Sequence, residues 1–225
     1  MNKQRQFDRL LSAAKAIIWD FDGVLADSEK WHFVTYSEVF ARHGHTIDEA
    51  EYYKYWTSLG LGARGEIERY GLDLDPVAIR GEKVPLFSAR CRDGSIGLFP
   101  EMHEVLERLS KTGKTMTIAS GTAGFDIEPI LENAGVRDLF SDIIGCDTVS
   151  AIKPAPDLFL AMLERLELPG SDCLVIEDAE KGMQAANAAG IPVVIIRTDQ
   201  TRTFDFGDAD LVVDSHADFL ELVRG

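Results

Sequence analysis

The chain has 225 residues, 45% of them hydrophobic and 27% charged, a composition typical of a globular protein with one domain or two small ones. Acidic residues number 38 and basic residues 23, so the formal net charge is −15 at pH 7. This charge would repel phosphate groups, and it therefore disfavours nucleic acid and anionic membranes as partners. No apolar run approaches the ~20 residues of a membrane helix, and the first residues lack the apolar stretch of a signal peptide. With three widely spaced cysteines, these features predict a cytoplasmic protein.

Taken in chain order, short apolar runs alternate with amphipathic stretches, which predicts βαβ units and a parallel sheet. A stripe of apolar residues between 7 and 14 predicts a helix before the first strand. The predicted strands are Ala16–Trp19, Thr115–Ala119, Asp142–Ile144, Cys173–Ile176, Val193–Ile196 and Leu211–Val213. The predicted helices of the same region are Glu101–Ser110, Ile127–Asn133, Asp157–Leu166 and Glu180–Ala189. We expect Pro154 and Pro156 to open the third of these helices and Gly190 to end the fourth in a left-handed conformation.

Segment 29–97 differs from the rest of the chain in charge and in aromatic content. It holds all five tyrosines, and its 9 basic and 11 acidic residues leave it nearly neutral while the remainder is strongly acidic. Its apolar residues, such as Trp31, Val34 and Phe40, follow a helical spacing and do not alternate. We therefore predict an α/β protein in which residues 1–28 and 98–225 form a parallel-sheet domain and residues 29–97 form an inserted helical domain.

Polar residues cluster where the predicted strands end. They are Asp20 and Asp22 after the first strand, Ser120 after the second, Lys153 before the fourth, and Glu177 and Asp178 after the fourth. Ligands of open parallel sheets bind beyond the carboxyl ends of the strands, so we expect these side chains at one edge. Each alone has a structural alternative, as part of an Asp-x-Asp turn, as a helix cap or as a solvated lysine. Their shared position at strand ends favours a functional site.

This set of residue types suits phosphoryl transfer with an aspartate nucleophile. Carboxylates gathered at one edge repel one another, and Mg²⁺ is a cation that carboxylate and phosphate oxygens hold well. In this hypothesis Asp20 attacks phosphorus, while Asp22 protonates the leaving oxygen and later activates water. Glu177 and Asp178 complete the metal site.

Three further residues would contact the phosphoryl group in the same hypothesis. Lys153 would offset its negative charge, and Ser120 would donate a hydrogen bond to one of its oxygens. Gly23, which has no Cβ, would let the backbone pass close to the phosphate.

At these residues the sequence resembles the haloacid dehalogenase superfamily of phosphohydrolases. The segments that carry the resemblance are 20–28 (DFDGVLADS), 118–121 (IASG), Lys153-Pro154, and 176–178 (IED) with Gly182. The inserted segment resembles the small cap of the beta-phosphoglucomutase and phosphoglycolate phosphatase branch. The resemblance implies a Rossmann-like core with a helical cap, Mg²⁺ as cofactor, Asp20 as nucleophile and Asp22 as acid and base. It also implies metal ligation by Asp20, by the Asp22 backbone carbonyl and by Asp178, with Glu177 nearby.

Within this branch, a phosphatase and a phosphosugar mutase are the two activities to separate. His32 lies where the mutase has a cap-hinge histidine, and Arg64 matches an arginine of the mutase cap loop, here residues 59–64. Gly60 replaces the lysine of that loop, and Gly124 stands where the mutase has an asparagine. Two missing substrate contacts favour a Mg²⁺-dependent phosphatase of a small phosphorylated metabolite, such as a sugar phosphate, over a mutase. The candidate substrate-binding residues are Gly23, Ser28, His32, Arg64 and Gly121.

The non-enzyme alternative is a phosphoacceptor signalling module. Response-regulator receivers also use strand-end aspartates, a hydroxyl residue and a lysine with Mg²⁺, but they are shorter and lack a large insertion after the first strand. A receiver would retain its phosphoaspartate and would show no turnover of phosphomonoesters. For the oligomeric state we expect a monomer or a weak dimer.

Overall fold

The computed structural model describes residues 2–58 and 60–225 of the chain. The chain divides into two compact units. The core unit comprises Met1–Asp27 and Gly97–Gly225, and the inserted unit comprises Ser28–Ile96. The predicted domains, 1–28 with 98–225 and 29–97, differ from these units by one residue at each boundary. That each folds as an independent domain stays a prediction.

The helices and strands follow the expected alternation. The strands, all in the core unit, are β1 (Ala16–Trp19), β2 (Thr115–Ala119), β3 (Asp142–Ile144), β4 (Cys173–Glu177), β5 (Val193–Ile196) and β6 (Leu211–Val213). The helices are α1 (Lys3–Ala13), α2 (Glu29–Arg42), α3 (Glu49–Glu51), a π-helix (Tyr52–Ser58), α4 (Gly62–Tyr70), α5 (Pro76–Arg92), α6 (Met102–Ser110), α7 (Gly124–Asn133), α8 (Asp157–Leu166), α9 (Glu180–Ala188) and α10 (His216–Arg224). Short 3₁₀ turns cover Arg137–Leu139 and Gly170–Asp172. The helices α2 to α5 and the π-helix belong to the inserted unit.

All six predicted strands are confirmed, and the differences lie at element ends. Strand β4 is one residue longer than predicted because Glu177 still pairs with Ile195 of β5. Helix α8 spans Asp157–Leu166 as predicted, and Pro156, with ψ near 0°, is its N-cap. Pro154 lies further upstream, so the expectation that it also opens the helix is wrong. Gly190 has the expected left-handed backbone, with φ +71°.

The strands form one parallel sheet in the order β3-β2-β1-β4-β5-β6. Strand β1 is central, and its Ala16 is in register with Thr115 of β2 and with Cys173 of β4. In this order the chain reverses direction across the sheet between β1 and β4. Open sheets bind ligands in the crevice at such a switch point, beyond the carboxyl ends of the two strands.

Alternate residues of β1 enter two different parts of the core, as a pleated strand requires. Ile18 lies in a cluster with Phe159 of α8 and Met183 of α9. On the other face, the Trp19 ring meets Phe219 of α10 edge-on, with centroids 6.2 Å apart. Every residue of β1 is fully buried, so helices cover the central strand on both faces.

The inserted unit has its own apolar core. It is built from Val39 and Phe40 of α2, Tyr52 and Trp56 of the π-helix, Ile67 of α4 and Ile79 of α5, together with Ile47. Most of the aromatic residues of segment 29–97 therefore pack in or against this core. Among the described residues, none of the helices has the length and apolar character needed to cross a membrane.

Candidate active site

The switch point between β1 and β4 holds the charged residues that the sequence singles out. Asp20 directly follows β1, and its backbone N–H donates to the Ile176 carbonyl of β4 at 2.9 Å. Glu177 is the last residue of β4, and Asp178 follows it. Asp20, Glu177 and Asp178 are all buried, although free carboxylates rarely are.

Lys153 lies at the centre of this group. Its Nζ donates to Asp20 Oδ1 at 2.6 Å, to Glu177 Oε1 at 2.8 Å and to the Ala119 carbonyl at 2.9 Å. An ammonium group has three N–H donors, so these contacts use all of them. The two buried carboxylates raise the pKa of Lys153, against the opposing effect of burial, and the lysine therefore stays charged.

One lysine does not balance the carboxylates around it. Burial and the negative charges of Glu177 and Asp22 raise the pKa of Asp20 to about 7, although Lys153 acts in the opposite direction. Neighbouring charges of one sign disfavour ionisation of each member. The site therefore favours the binding of additional positive charge.

The oxygen donors present fit a divalent cation. Carboxylate oxygens of Asp20, Glu177 and Asp178 lie within 4.8 Å of one another. Hard oxygen ligands of this kind suit Mg²⁺, and a cation among them would relieve the repulsion that raises the pKa of Asp20. Asp22 is not a member of this group, and its predicted role at the metal site stays a prediction.

The Asp22 carboxylate is held by two hydroxyl groups from the turn after β2. Ser120 Oγ donates to Asp22 Oδ2 at 3.2 Å, and Thr122 Oγ1 donates to the same oxygen at 2.7 Å. Ser120 Oγ also accepts from the Thr122 backbone N–H at 3.0 Å. The predicted donor Ser120 is thus beside Asp22, and Gly121 lies between the two hydroxyl residues.

Thr122 is a site residue that the sequence prediction missed. It makes the shorter of the two contacts with Asp22, and it is buried. Its position two residues after Ser120, in the same strand-end turn, was the available signal.

Two glycines allow carboxylates to approach the backbone closely. Gly23 has φ +78°, and a Cβ at this position would lie 2.3 Å from Asp178 Oδ2. A Cβ on Gly182 in α9 would lie 1.7 Å from Glu177 Oε1. Glu177 Oε2 in turn accepts the backbone N–H groups of Asp178 and Ala179 at 2.8 and 2.9 Å. The residue in close contact with Gly23 is thus Asp178, and the predicted approach of the Gly23 backbone to the phosphate stays a prediction.

The remaining predicted residues, Ser28, His32 and Arg64, lie in the inserted unit. His32 stacks on Phe87 with centroids 4.0 Å apart, and its Nδ1 is 2.8 Å from Nζ of the buried Lys83. Lys83 is a second residue that the sequence prediction missed.

Arg64 and Ser28 differ in exposure. Arg64 is exposed in the first turn of α4, whereas Ser28 is fully buried at the N-terminus of α2. Leu59, part of the segment compared with the mutase cap loop, lies outside the described residues. The substrate-binding roles of these residues stay predictions.

The comparisons with known proteins agree with this geometry. A family model described as haloacid dehalogenase-like hydrolase matches residues 17–196, which include the entire charged group at the sheet edge. The plasmid-encoded protein CbbY of Cupriavidus necator is 32% identical over 217 residues, covering 88% of this chain and 84% of that protein. The fructose-1-phosphate phosphatase YqaB of Escherichia coli is 31% identical over 182 residues, covering 80% of this chain and 95% of that protein.

A solved structure extends the similarity to three dimensions. The crystal structure of CbbY from Rhodobacter sphaeroides in complex with phosphate is similar to this chain with a TM-score of 0.80 at 27% identity. The similarity covers 94% of this chain and 100% of that one. Together with the family match over most of the sequence, it shows that the chain belongs to the haloacid dehalogenase-like hydrolase family.

Proposed function

We propose that the protein is a phosphatase that hydrolyses a small phosphorylated metabolite through an aspartyl phosphate on Asp20. The observation that carries the proposal is the buried group at the ends of β1 and β4, where Lys153 bridges Asp20 and Glu177. Asp178 adds a third carboxylate to the group. Three carboxylates and one fixed cation at a sheet edge are costly for stability, and they are the groups that phosphoryl transfer uses.

In the first step Asp20 Oδ attacks phosphorus, and the bond from phosphorus to the ester oxygen breaks. Lys153 holds one oxygen of Asp20, so the carboxylate is oriented before the substrate arrives. When bound, Mg²⁺ would supply positive charge that favours the ionised form of Asp20 and neutralises the phosphoryl oxygens.

Asp22 would transfer protons in both half-reactions. It would give a proton to the departing alkoxide, and it would then take one from the water that attacks the aspartyl phosphate. This water forms a new bond to phosphorus, the bond to Asp20 breaks, and inorganic phosphate leaves. Ser120 and Thr122 hold Asp22 Oδ2 and fix the carboxylate for these transfers.

The substrate class is supported by the relatives and by the charge of the inserted unit. YqaB is a fructose-1-phosphate phosphatase, and the CbbY structure contains phosphate. Segment 29–97 is nearly neutral and presents the exposed Arg64, which suits an anionic substrate better than the acidic remainder does. We therefore favour a sugar monophosphate as substrate.

The test is phosphate release from a panel of phosphomonoesters that includes fructose 1-phosphate and beta-glucose 1-phosphate. We expect release that depends on Mg²⁺, stops with a chelator, and is lost in Asp20→Asn. Release that persists in Asp20→Asn would contradict the assignment of the nucleophile.

Two other outcomes would replace the proposal. Conversion of beta-glucose 1-phosphate into glucose 6-phosphate without phosphate release would identify a mutase. A stable phosphoprotein with no ester turnover would identify a phosphoacceptor module.

A further inference from the structure

We propose that His216 is a positioning residue of the active site, whose ring N–H fixes the backbone of the loop between Asp20 and Asp27. This inference rests on the proposed function, because that loop carries the proposed acid and base Asp22. His216 lies almost 200 residues further along the chain, in α10, and none of the motifs discussed above includes it.

The imidazole ring of His216 is held in one orientation. His216 is the first residue of α10. The N-cap of this helix is Ser215, whose side chain accepts the Asp218 backbone N–H at 3.0 Å. Phe99 stacks on the ring, with centroids 3.9 Å apart and an angle of 23° between the planes. His216 is 8% exposed, so the stacking and the polar contact of its ring are buried within the core unit.

The polar contact is made with the loop after β1. His216 Nε2 lies 3.0 Å from the Val24 carbonyl oxygen. A carbonyl oxygen only accepts, so Nε2 carries the proton and donates it. Burial lowers the pKa of His216, and the ring is therefore a neutral donor at physiological pH.

The same loop also lies close to Asp178, one of the three clustered carboxylates. Gly23 packs so closely on Asp178 that a Cβ would lie 2.3 Å from Oδ2. Within the loop, the Gly23 backbone N–H donates to the Ala26 carbonyl at 3.0 Å. Two neighbouring residues of the loop are thus in close contact with other parts of the core unit, Gly23 with Asp178 and Val24 with His216. A shift of the Val24 carbonyl would move Gly23 relative to Asp178 and, through the adjoining peptide, Asp22.

The variant His216→Phe removes the N–H donor and keeps an aromatic ring for the stack with Phe99. We expect kcat to fall about fivefold, as the loss of one net hydrogen bond predicts, while KM changes less than twofold. His216→Gln, whose amide can donate to the same carbonyl, should recover part of the lost kcat. The matched control is Leu220→Ala, which disturbs the packing of the same helix at a buried position.

A second readout does not depend on turnover. Amide hydrogen exchange at Gly23 and Ala26 reports whether the loop opens. In His216→Phe we expect both amides to exchange about fivefold faster, following the lost hydrogen bond, whereas Leu220→Ala should leave them at the wild-type rate.

Two results would overturn the role of His216. One is wild-type kcat and wild-type exchange in His216→Phe. The other is an equal loss of kcat, with equal acceleration of exchange, in Leu220→Ala. If the wild-type protein released no phosphate from any ester, the proposed function would fail, and the exchange measurement would still decide whether His216 holds the loop.

Discussion

Each unit of the molecule buries a glutamate, and the surroundings of the two differ. Glu66 in the inserted unit is 1% exposed and is contacted by donors, with His45 Nε2 2.8 Å from Oε1 and Trp56 Nε1 3.3 Å from Oε2. Glu177 in the core unit is equally buried, but it shares its lysine with Asp20.

With the proposed function, the difference separates a carboxylate that stabilises a fold from one that would serve a reaction. A buried charge is tolerated when donors surround it, as at Glu66. Adding further carboxylates brings repulsion, which only a bound cation or a protonated group relieves. Among the described residues, Asp20, Glu177 and Asp178 are the one group of three side chains placed to share a metal ion. Repulsion of this kind supports the function proposed for the core site.

The largest expected effect comes from displacing Glu177. In Gly182→Ala the new Cβ would overlap the Glu177 carboxylate, and Lys153 would lose one of its acceptors. We expect kcat to fall about a hundredfold, in line with the loss of an electrostatic contact in an active site. Gly81→Ala is the matched control, because Gly81 also lies within a helix but has open space where its Cβ would be. Equal kcat in both variants would show that the position of Glu177 does not matter for turnover.

Removing the other buried glutamate should affect stability instead of chemistry. In Glu66→Ala the Trp56 indole N–H and the His45 ring lose their acceptor, which costs about 2 kcal/mol of unfolding free energy. We expect kcat with p-nitrophenyl phosphate to stay close to the wild-type value. Urea unfolding and steady-state kinetics measure the two quantities. A folded Glu66→Ala variant with a large loss of kcat would contradict the claim that Glu66 affects stability and not turnover.

A smaller effect is expected from the hydroxyl groups on Asp22. Thr122→Val removes the 2.7 Å contact and leaves that of Ser120, so kcat should fall about tenfold for a poor leaving group, within the range of acid and base catalysis. The loss should be smaller for p-nitrophenyl phosphate, whose leaving group needs little protonation. The control is Thr117→Val, since the buried Thr117 hydroxyl has no hydrogen-bond partner among the described residues. An equal loss for both substrates would indicate that Thr122 does not act through Asp22.

The smallest expected effect concerns pH. Burial lowers the pKa of His216 below 6.5, although hydrogen bonds to Val24 and Gly23 and the charges of Glu101 and Asp27 act in the opposite direction. Below pH 6.5 the unfolded chain binds this proton more readily than the folded chain does. The contribution of His216 to stability is therefore complete above pH 6.5 and is lost as the pH falls towards the folded pKa. An NMR titration of the ring that gave a pKa above 6.5 would contradict the assignment.

The sheet was predictable because its signals are local. Each strand is a short apolar run, and the polar residues that follow β1, β2 and β4 mark the edge where the site lies. The start of α7 was harder to predict from the sequence. The backbone N–H of Gly124, its first residue, donates to Asp147 Oδ1, and Asp147 follows a different strand. The periodicity of apolar residues in the sequence does not predict such a contact.

The contacts of Lys83 and His216 were not predicted for the same reason, because they also join residues far apart in the sequence. Lys83 contacts His32 across 51 residues of sequence, and both lie in a segment whose helical pattern gives no indication of which polar side chains meet. The contact of His216 with Val24 spans 192 residues and depends on how α10 packs beside the loop after β1. Motif spacing was sufficient to predict that Asp20, Lys153 and Asp178 lie together, whereas contacts such as that of His216 with Val24 emerge only from tertiary packing.

The most direct test of the central claim is the identity of the phosphorylated side chain. The protein would be mixed with Mg²⁺ and a phosphomonoester, quenched, and reduced with borohydride, which converts an aspartyl phosphate into homoserine. Peptide mass spectrometry would then locate the modified residue. The account predicts homoserine at position 20, and its absence in a sample without substrate. Modification of Asp22 or Asp178 in place of Asp20 would contradict it.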